Sequence, residues 1–295
     1  MYGQSIFEPL LGWIDNPQLL HSGVNSDLVL GCLRSAGGAV VVKCLRDYRN
    51  SDARRQFENQ VRVLSRRYDG AVPLLAENAR AEHPYYVMGY LPGGRLAQYA
   101  GSINADRLHA IALRVASILA NMHAASDVHG DLKPHNMLLD AAGELWLADP
   151  LGNPTLLAGL FAINRGGTPG YWAPEVRDGA SISVSADVYS FGATLYHLAT
   201  GDVPQEGQRI DTLIQQHPIA PWIRLVITLC CNPLPSVRPT MSDVLRLLRG
   251  ETWASIQAEK MRNQLALFVV ILLCAFLVFS PFFGDGGVSK PKSSS

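Results

Sequence analysis

The sequence predicts an α+β fold, with paired strands toward the N-terminus, helices after them and a separate apolar helix at the C-terminus. Three observations carry this expectation. Two largely apolar runs flank a glycine-bearing turn early in the chain. Further on, Ile111, Val115, Leu119 and Met122 recur at helical spacing. Residues 265–279 are apolar without a break. A chain of 295 residues has room for a two-lobed domain of about 250 residues and an appendage. The net charge is zero, so no broad field recruits nucleic acid, and none is expected as a partner. Charged residues make up only 17%, partly because the C-terminus is apolar. Cys32, Cys44, Cys230, Cys231 and Cys274 fall at no metal-ligand spacing, and their scatter fits a reducing compartment. The N-terminus shows no basic region followed by an apolar core, so no signal peptide is expected.

Taken in order, residues 1–18 carry little pattern and read as an extension. A strand-hairpin pattern begins at Leu19 and turns through Gly23. Residues 29–33 and 39–45 flank a turn at Ser35-Ala36-Gly37-Gly38 and read as a β-hairpin. Lys43 lies in the second of those strands, and a lysine there is costly to bury without an anionic partner. Residues 52–67 read as a helix with Phe57, Val61 and Leu64 on one face. Residues 85–94 read as strand, then turn, and residues 107–124 as a long amphipathic helix.

That helix leads into His129-Gly130-Asp131-Leu132-Lys133-Pro134-His135-Asn136, and the apolar run Met137-Leu138-Leu139 follows. An acid, a cation and an amide on one loop suit phosphoryl transfer: Asp131 to accept the proton of an attacking hydroxyl, Lys133 to neutralise charge, Asn136 to ligate Mg²⁺. The competing reading is a solvated polar loop. Residues 145–149 form another short strand ending in Asp149, at a distance from Asn136 that suits a hairpin bringing both side chains together.

The Asp-Leu-Lys-Pro-His-Asn string resembles the catalytic loop of eukaryotic-like (bacterial-type) Ser/Thr protein kinases. One feature departs from that family: its usual H-R-D is His129-Gly130-Asp131 here. The H-G-D form also occurs in small-molecule phosphotransferases of the aminoglycoside-kinase type. The resemblance implies a two-lobed protein-kinase fold, with a β-rich N-lobe over 19–92 and a helical C-lobe over 93–250. It implies ATP as cofactor with Mg²⁺, or Mn²⁺ in its place. Of the family's glycine-rich loop only Gly23 survives, and Val40-Val41-Val42-Lys43 looks like the strand whose lysine holds ATP phosphates. Gln60 falls where the family carries the glutamate that pairs with this lysine. Met88 falls at the gatekeeper position, and Gly89, Tyr90 and Leu91 form the stretch whose backbone binds adenine. Asp149-Pro150-Leu151 stands for D-F-G, keeping the metal ligand Asp149 while Pro150 fixes φ. Gly167-Thr168-Pro169-Gly170-Tyr171-Trp172-Ala173-Pro174-Glu175 is similar to the end of the activation segment, where Thr168 would bond Asp131 and Lys133. Asp187 would anchor the backbone of the catalytic loop, and Arg238 would pair with Glu175.

Past the domain, residues 251–263 read as a juxtamembrane segment, 264–283 as a transmembrane helix and 284–295 as a short polar tail. The apolar run, extended past Ser280-Pro281 to Phe283, would cover nearly one hydrocarbon core. A bilayer partner through 264–283 would leave the ATP-using domain in the cytosol and the tail on the far side. The function expected is a membrane-tethered Ser/Thr protein kinase acting on an unidentified protein substrate. A pseudokinase that binds ATP or docks partners is the second reading. A small-molecule phosphotransferase is the third, and the string ending at Glu175 argues against it.

Overall fold

The computed structural model describes residues 12, 14–23, 25–35, 37–152 and 169–279. The chain divides into two units, Met1–Leu248 and Arg249–Ser295. In the first unit, five strands form an antiparallel sheet in the order β1-β2-β3-β5-β4. These are β1 (Ile14–Ser22), β2 (Ser26–Leu33), β3 (Ala39–Leu45), β4 (Leu74–Asn78) and β5 (Tyr85–Gly89). Helix α1 (Ser51–Ser65) starts where the Asn50 side chain accepts from the backbone N–H groups of Asp52 and Ala53, satisfying two donors that the first turn cannot. Phe57, Val61 and Leu64 are buried from α1 with Val41, Tyr86 and Met88 of the sheet. The Phe57 and Tyr86 rings lie 5.2 Å apart.

The expected hairpin is present, with Cys32 paired to Ala39 and Gly37 at φ +68° in the turn. The strand expected from Leu19 starts five residues earlier, at Ile14, which is buried. Asn16 at φ +50° and Pro17 sit at a register shift between Asp15 and Gln18. A bulge of this kind hides a strand behind residues that read as a turn. Strand β4 has no counterpart among the expectations. Most of it is exposed, Leu75 included, so it carries no clear alternation.

A second sheet, β6-β7-β8, joins Gly94–Arg95 to the hairpin of Met137–Leu139 and Leu145–Leu147. Below it lie α2 (Ala105–Ala124), the short α3 (Pro174–Arg177), α4 (Val184–Thr200), the short α5 (Ile210–Leu213), α6 (Pro221–Cys230) and α7 (Met241–Leu248). Helix α4 is buried almost all round, capped by Ser183 at its start and stopped by Gly201 at φ +82°. Its apolar residues join those of α2, α6 and α7 in one core. Cys44, Cys230 and Cys231 are buried, and burial pushes their thiols up, as suits unreactive packing residues.

The second unit contains α8 (Trp253–Phe279). Here the expectation of a transmembrane helix is corrected. Among the described residues, no helix is long and apolar enough to cross a membrane. The first half of α8 is polar, and the apolar run 265–279 rises only about 22 Å at 1.5 Å per residue, short of a ~30 Å hydrocarbon core. Residues 280–283, which were to extend it, lie outside the described residues, as does the tail.

Candidate active site

Lys43 sits in the middle of the sheet, with Leu28 and Tyr86 as its register neighbours. Its ammonium therefore emerges beneath the strands rather than at an edge. It donates to Asp149 Oδ1 at 2.7 Å and, more weakly, to the Gln60 amide oxygen at 3.3 Å. The Tyr86 hydroxyl, from a wholly buried ring, also donates to Asp149 Oδ1, at 3.1 Å. Burial pushes the Asp149 carboxyl up, but the Lys43 ammonium and the Tyr86 hydroxyl outweigh it and hold the group below the usual carboxylate range. Asp149 is thus an anion near neutral pH. Its backbone is left-handed, at φ +58°, a conformation uncommon outside glycine.

The loop that faces Asp149 is held from below. Asp187, buried on α4, accepts from the backbone N–H groups of His129 and Gly130, both at 2.7 Å, and its Oδ2 lies 2.9 Å from His123 Nε2. This is the anchoring role expected of Asp187. Charge-assisted bonds of this kind are the strong ones. Within the loop, Lys133 Nζ donates to both oxygens of Asp131, at 3.0 and 2.8 Å. Asn136 Nδ2 donates to the Asp131 backbone oxygen at 2.7 Å and to Oδ2 at 2.9 Å. Asn136 is tied in turn to the residue before Asp149, since Ala148 N–H donates to Asn136 O at 2.9 Å. The hairpin between Asn136 and Asp149 brings these elements together as its spacing suggested.

Asp131, Lys43, Gln60, Phe57, Asp149 and Leu151 line one cleft of about 140 Å³, closed on the strand side by Asn25 and Ser26. Gly23 belongs to the hairpin above it: its N–H donates to Ser26 O at 2.9 Å and closes the β1–β2 turn. Met88 is buried in β5, opposite Val41 and Leu74. Gly89, Tyr90 and Leu91 continue from it, and Tyr90 N–H is spent on Ala39 O at 3.1 Å. These four are not among the residues lining that cleft. Thr168 lies outside the described residues.

Among the described residues no three His, Cys, Asp or Glu side chains gather into a metal cage. The side chains expected to hold the ion, the Asp149 carboxylate and the Asn136 amide, offer the oxygen chemistry that Mg²⁺ accepts while keeping waters and phosphate ligands. The residues present therefore fit such an ion.

Two features escaped the reading of the sequence. Asp27, buried on β2, accepts from Ser22 Oγ at 2.6 Å and from Arg46 Nη2 at 2.6 Å, clasping the hairpin to the end of β3. A charged residue among strand-forming neighbours was the available signal. Asn59 and Gly152 are the second, treated below. The expected Arg238–Glu175 pair is present and bidentate, at 2.6 and 2.8 Å, with the guanidinium fully buried.

A family model described as protein kinase domain matches residues 15–248 of this chain. The DNA damage-responsive serine/threonine-protein kinase RqkA of Deinococcus radiodurans is 31% identical over 196 residues, covering 63% of this chain and 29% of that protein. A probable serine/threonine-protein kinase, PkwA of Thermomonospora curvata, is 30% identical over 244 residues, covering 75% and 32%. The serine/threonine-protein kinase PrkC of Bacillus subtilis is 28% identical over 187 residues, covering 60% and 29%. The matched part therefore spans about a third of the length of these relatives.

Proposed function

This chain belongs to the protein kinase domain family, and on that premise we propose that it transfers the γ-phosphoryl group of ATP to Ser/Thr hydroxyls of protein substrates. One observation carries the reading: the Asp131 and Asp149 carboxylates and the Lys43 ammonium line a single cleft. The kinases it resembles are named for serine/threonine specificity. In this reading Asp131, oriented by Asn136, accepts the proton of the incoming hydroxyl. Lys133 leaves Asp131 to meet the charge on the moving phosphoryl group. Lys43 holds the nucleotide phosphates, and Met88 to Leu91 hold its base. Asn136 and Asp149 would hold Mg²⁺ or Mn²⁺, which would supply charge neutralisation at the nucleotide phosphates. Gly130 makes this a kinase without the arginine of H-R-D.

The pseudokinase reading draws on one contact. Lys43 meets a neutral amide at Gln60, 3.3 Å away, where a carboxylate would bind it more strongly. The groups that would touch phosphate, metal and hydroxyl are nevertheless all present, so turnover is the better reading.

We also propose that the chain associates with a lipid bilayer through the apolar half of α8, with the catalytic unit on the cytosolic side where ATP is. Leu265, Leu267, Phe268, Val269, Val270, Ile271 and Leu272 are all exposed on that helix, and a contiguous apolar surface needs cover. Flotation with liposomes tests this, and a chain left at the bottom of the gradient removes it.

The test of the catalytic reading incubates the full chain with labelled ATP, Mg²⁺ or Mn²⁺ and a generic protein substrate. Label on serine or threonine is expected, and its loss in Asp149→Asn together with weaker Mg·ATP binding. Nucleotide binding without transfer in the unaltered chain would instead establish the pseudokinase.

A further inference from the structure

Leu151 has both backbone groups engaged. Its N–H donates to His129 O at 2.7 Å, and its carbonyl accepts from the side-chain amide of Asn59 on α1. Next to it, Gly152 pairs with Val128 through two bonds of 3.1 and 3.2 Å. The segment after Asp149 is therefore bridged to the segment that enters the catalytic loop. Gly152 is at φ +92°, and a Cβ there would stand 2.6 Å from Val63 and 2.7 Å from the Asn59 amide nitrogen. Only glycine lets α1 approach so closely.

The other end of the Asn59 amide is also committed. Its Oδ1 accepts from Arg62 Nε at 3.0 Å and Nη2 at 2.9 Å. Arg62 Nη2 goes on to Asp127 Oδ1 at 3.0 Å. Asp127 is fully buried two residues before His129, and the Tyr68 hydroxyl at 2.9 Å and Arg66 at 3.1 Å complete its shell. A continuous polar chain thus joins α1 to the segment that enters the catalytic loop and to the segment that follows Asp149. The only described side-chain contact from Gln60 to Lys43 is the single 3.3 Å amide bond.

We infer that Asn59 is a positioning residue, which fixes the segment carrying Asp149 against α1 and takes over the coupling that the Lys43–Gln60 contact is too weak to supply. The inference rests on the catalytic reading above for its consequence, since Asp149 matters most as a metal ligand. Its structural half does not depend on that reading.

The amide oxygen that Asn59 offers Arg62 survives in Asn59→Asp, but the donor to Leu151 O becomes an acceptor facing an acceptor. Two measurements on the full chain decide the matter, with Gln60→Leu as the contrast. Amide hydrogen exchange, without nucleotide or metal, is expected to rise at Leu151 and Gly152, whose N–H groups bond His129 and Val128, in Asn59→Asp while α4 stays protected. The Mg²⁺ concentration needed for half-maximal nucleotide binding is expected to rise by about tenfold or more, as for other residues that orient a metal ligand. Gln60→Leu, which removes only the long amide bond to Lys43, should move both quantities several-fold less than Asn59→Asp does. Arg62→Gln, which keeps the fold held by Arg66 and Tyr68, should act in the same direction as Asn59→Asp. Equal effects from Gln60→Leu would overturn the inference. So would faster exchange throughout the chain with an unchanged Mg²⁺ requirement, the mark of a merely structural residue. A wild-type chain that transfers no phosphoryl group would sink the catalytic reading alone, because exchange and nucleotide binding still report on Asn59.

Discussion

On the lower wall of the cleft, Asp131 is gripped by Lys133 and Asn136 from within its own loop, two and five residues away. On the upper wall, Lys43 reaches Gln60 across 17 residues and Asp149 across 106, and Asn59 reaches Leu151 across 92. The lower wall keeps the residue types its family uses, and its contacts are short and local. The upper wall carries Gln60 and Pro150-Leu151 where the resemblance to the family implies a glutamate and a phenylalanine-glycine pair. Its integrity depends on contacts that only the fold creates. Chemistry that touches the hydroxyl and the metal tolerates little change of residue type. Coupling between α1 and the loop needs only some rigid connection, and a buried amide serves as well as an ion pair.

The sharpest way to break this comparison is at Asp131. Asp131→Asn keeps the shape of the loop and removes the proposed base, so the transfer rate should fall about 10²- to 10⁴-fold. Nucleotide affinity should hold, because Lys43 and Asp149 are untouched. Initial rates and a nucleotide titration on the same preparation check both halves. A rate within a few-fold of the unaltered chain would show that the lower wall is not the reactive one.

The next effect is on stability. The Arg238 guanidinium is fully buried, bonds both oxygens of Glu175 and also donates to backbone oxygens of Asn232, Ser185 and Pro233. It also stacks over Tyr189, 5.1 Å from the ring centroid. Arg238→Ala strips these partners and leaves Glu175 without its counter-charge, which costs about 3–5 kcal/mol. A urea melt should show the loss as a lower midpoint with an unchanged slope. An unchanged midpoint would mean the pair is decorative.

A smaller effect separates the two walls on the upper side itself. Gln60→Glu restores a carboxylate beside Lys43, which Asp149 already holds at 2.7 Å. The new charge-assisted bond is stronger than the amide bond by only about 1 kcal/mol. With Asn59 still in place, the transfer rate should change by less than about threefold, a fraction of that energy. A tenfold gain in rate would mean that Lys43 positioning, and not the Asn59 contact, limits the upper wall.

This division also decides what could be read from the sequence. Asp131, Lys133 and Asn136 announce themselves because they are close in sequence and chemically distinct. Asp149 was legible from its place at the end of a short strand, and Asp187 and Arg238 from strings shared with a family. Asn59 gave no such signal. One position from Gln60 on the same helix, it looks like an ordinary polar residue until Leu151 arrives from 92 positions away. Asp127 and Tyr68 were silent for the same reason, being joined across 59 residues. The start of β1 was hidden by Asn16 and Pro17, whose local preference for a turn is overridden by the burial of Ile14 against Gly31. The expected membrane-spanning helix drew on residues past 279, where the described helix stops.

The smallest effect expected is none at all. In kinases with H-R-D, a phosphate on the activation segment orders it by pairing with the arginine beside the catalytic aspartate. Gly130 has no side chain for that role, and its backbone explains why one is not readily added. It sits at φ +77°, and a Cβ would stand 3.1 Å from the Leu151 side chain. A left-handed conformation costs an L-residue about 1–2 kcal/mol before any clash is counted. Arg54, a second basic candidate for reading such a phosphate, already spends its guanidinium on the carbonyls of Tyr48, Ala81 and Glu82. Of the hydroxyl residues between Asp149 and Glu175, Tyr171 is buried with its hydroxyl 2.6 Å from His197 Nδ1. Thr155 and Thr168 lie outside the described residues, and Thr168 belongs to the string expected to meet Asp131. Thr155 is then the candidate site. Thr155→Ala and phosphatase treatment should each leave the transfer rate within about twofold, less than one hydrogen bond's worth. If phosphatase abolished turnover and rephosphorylation of Thr155 restored it, a basic group elsewhere would be holding that phosphate. The upper wall would then be regulated after all, and the rigid coupling through Asn59 would be only one of its two states.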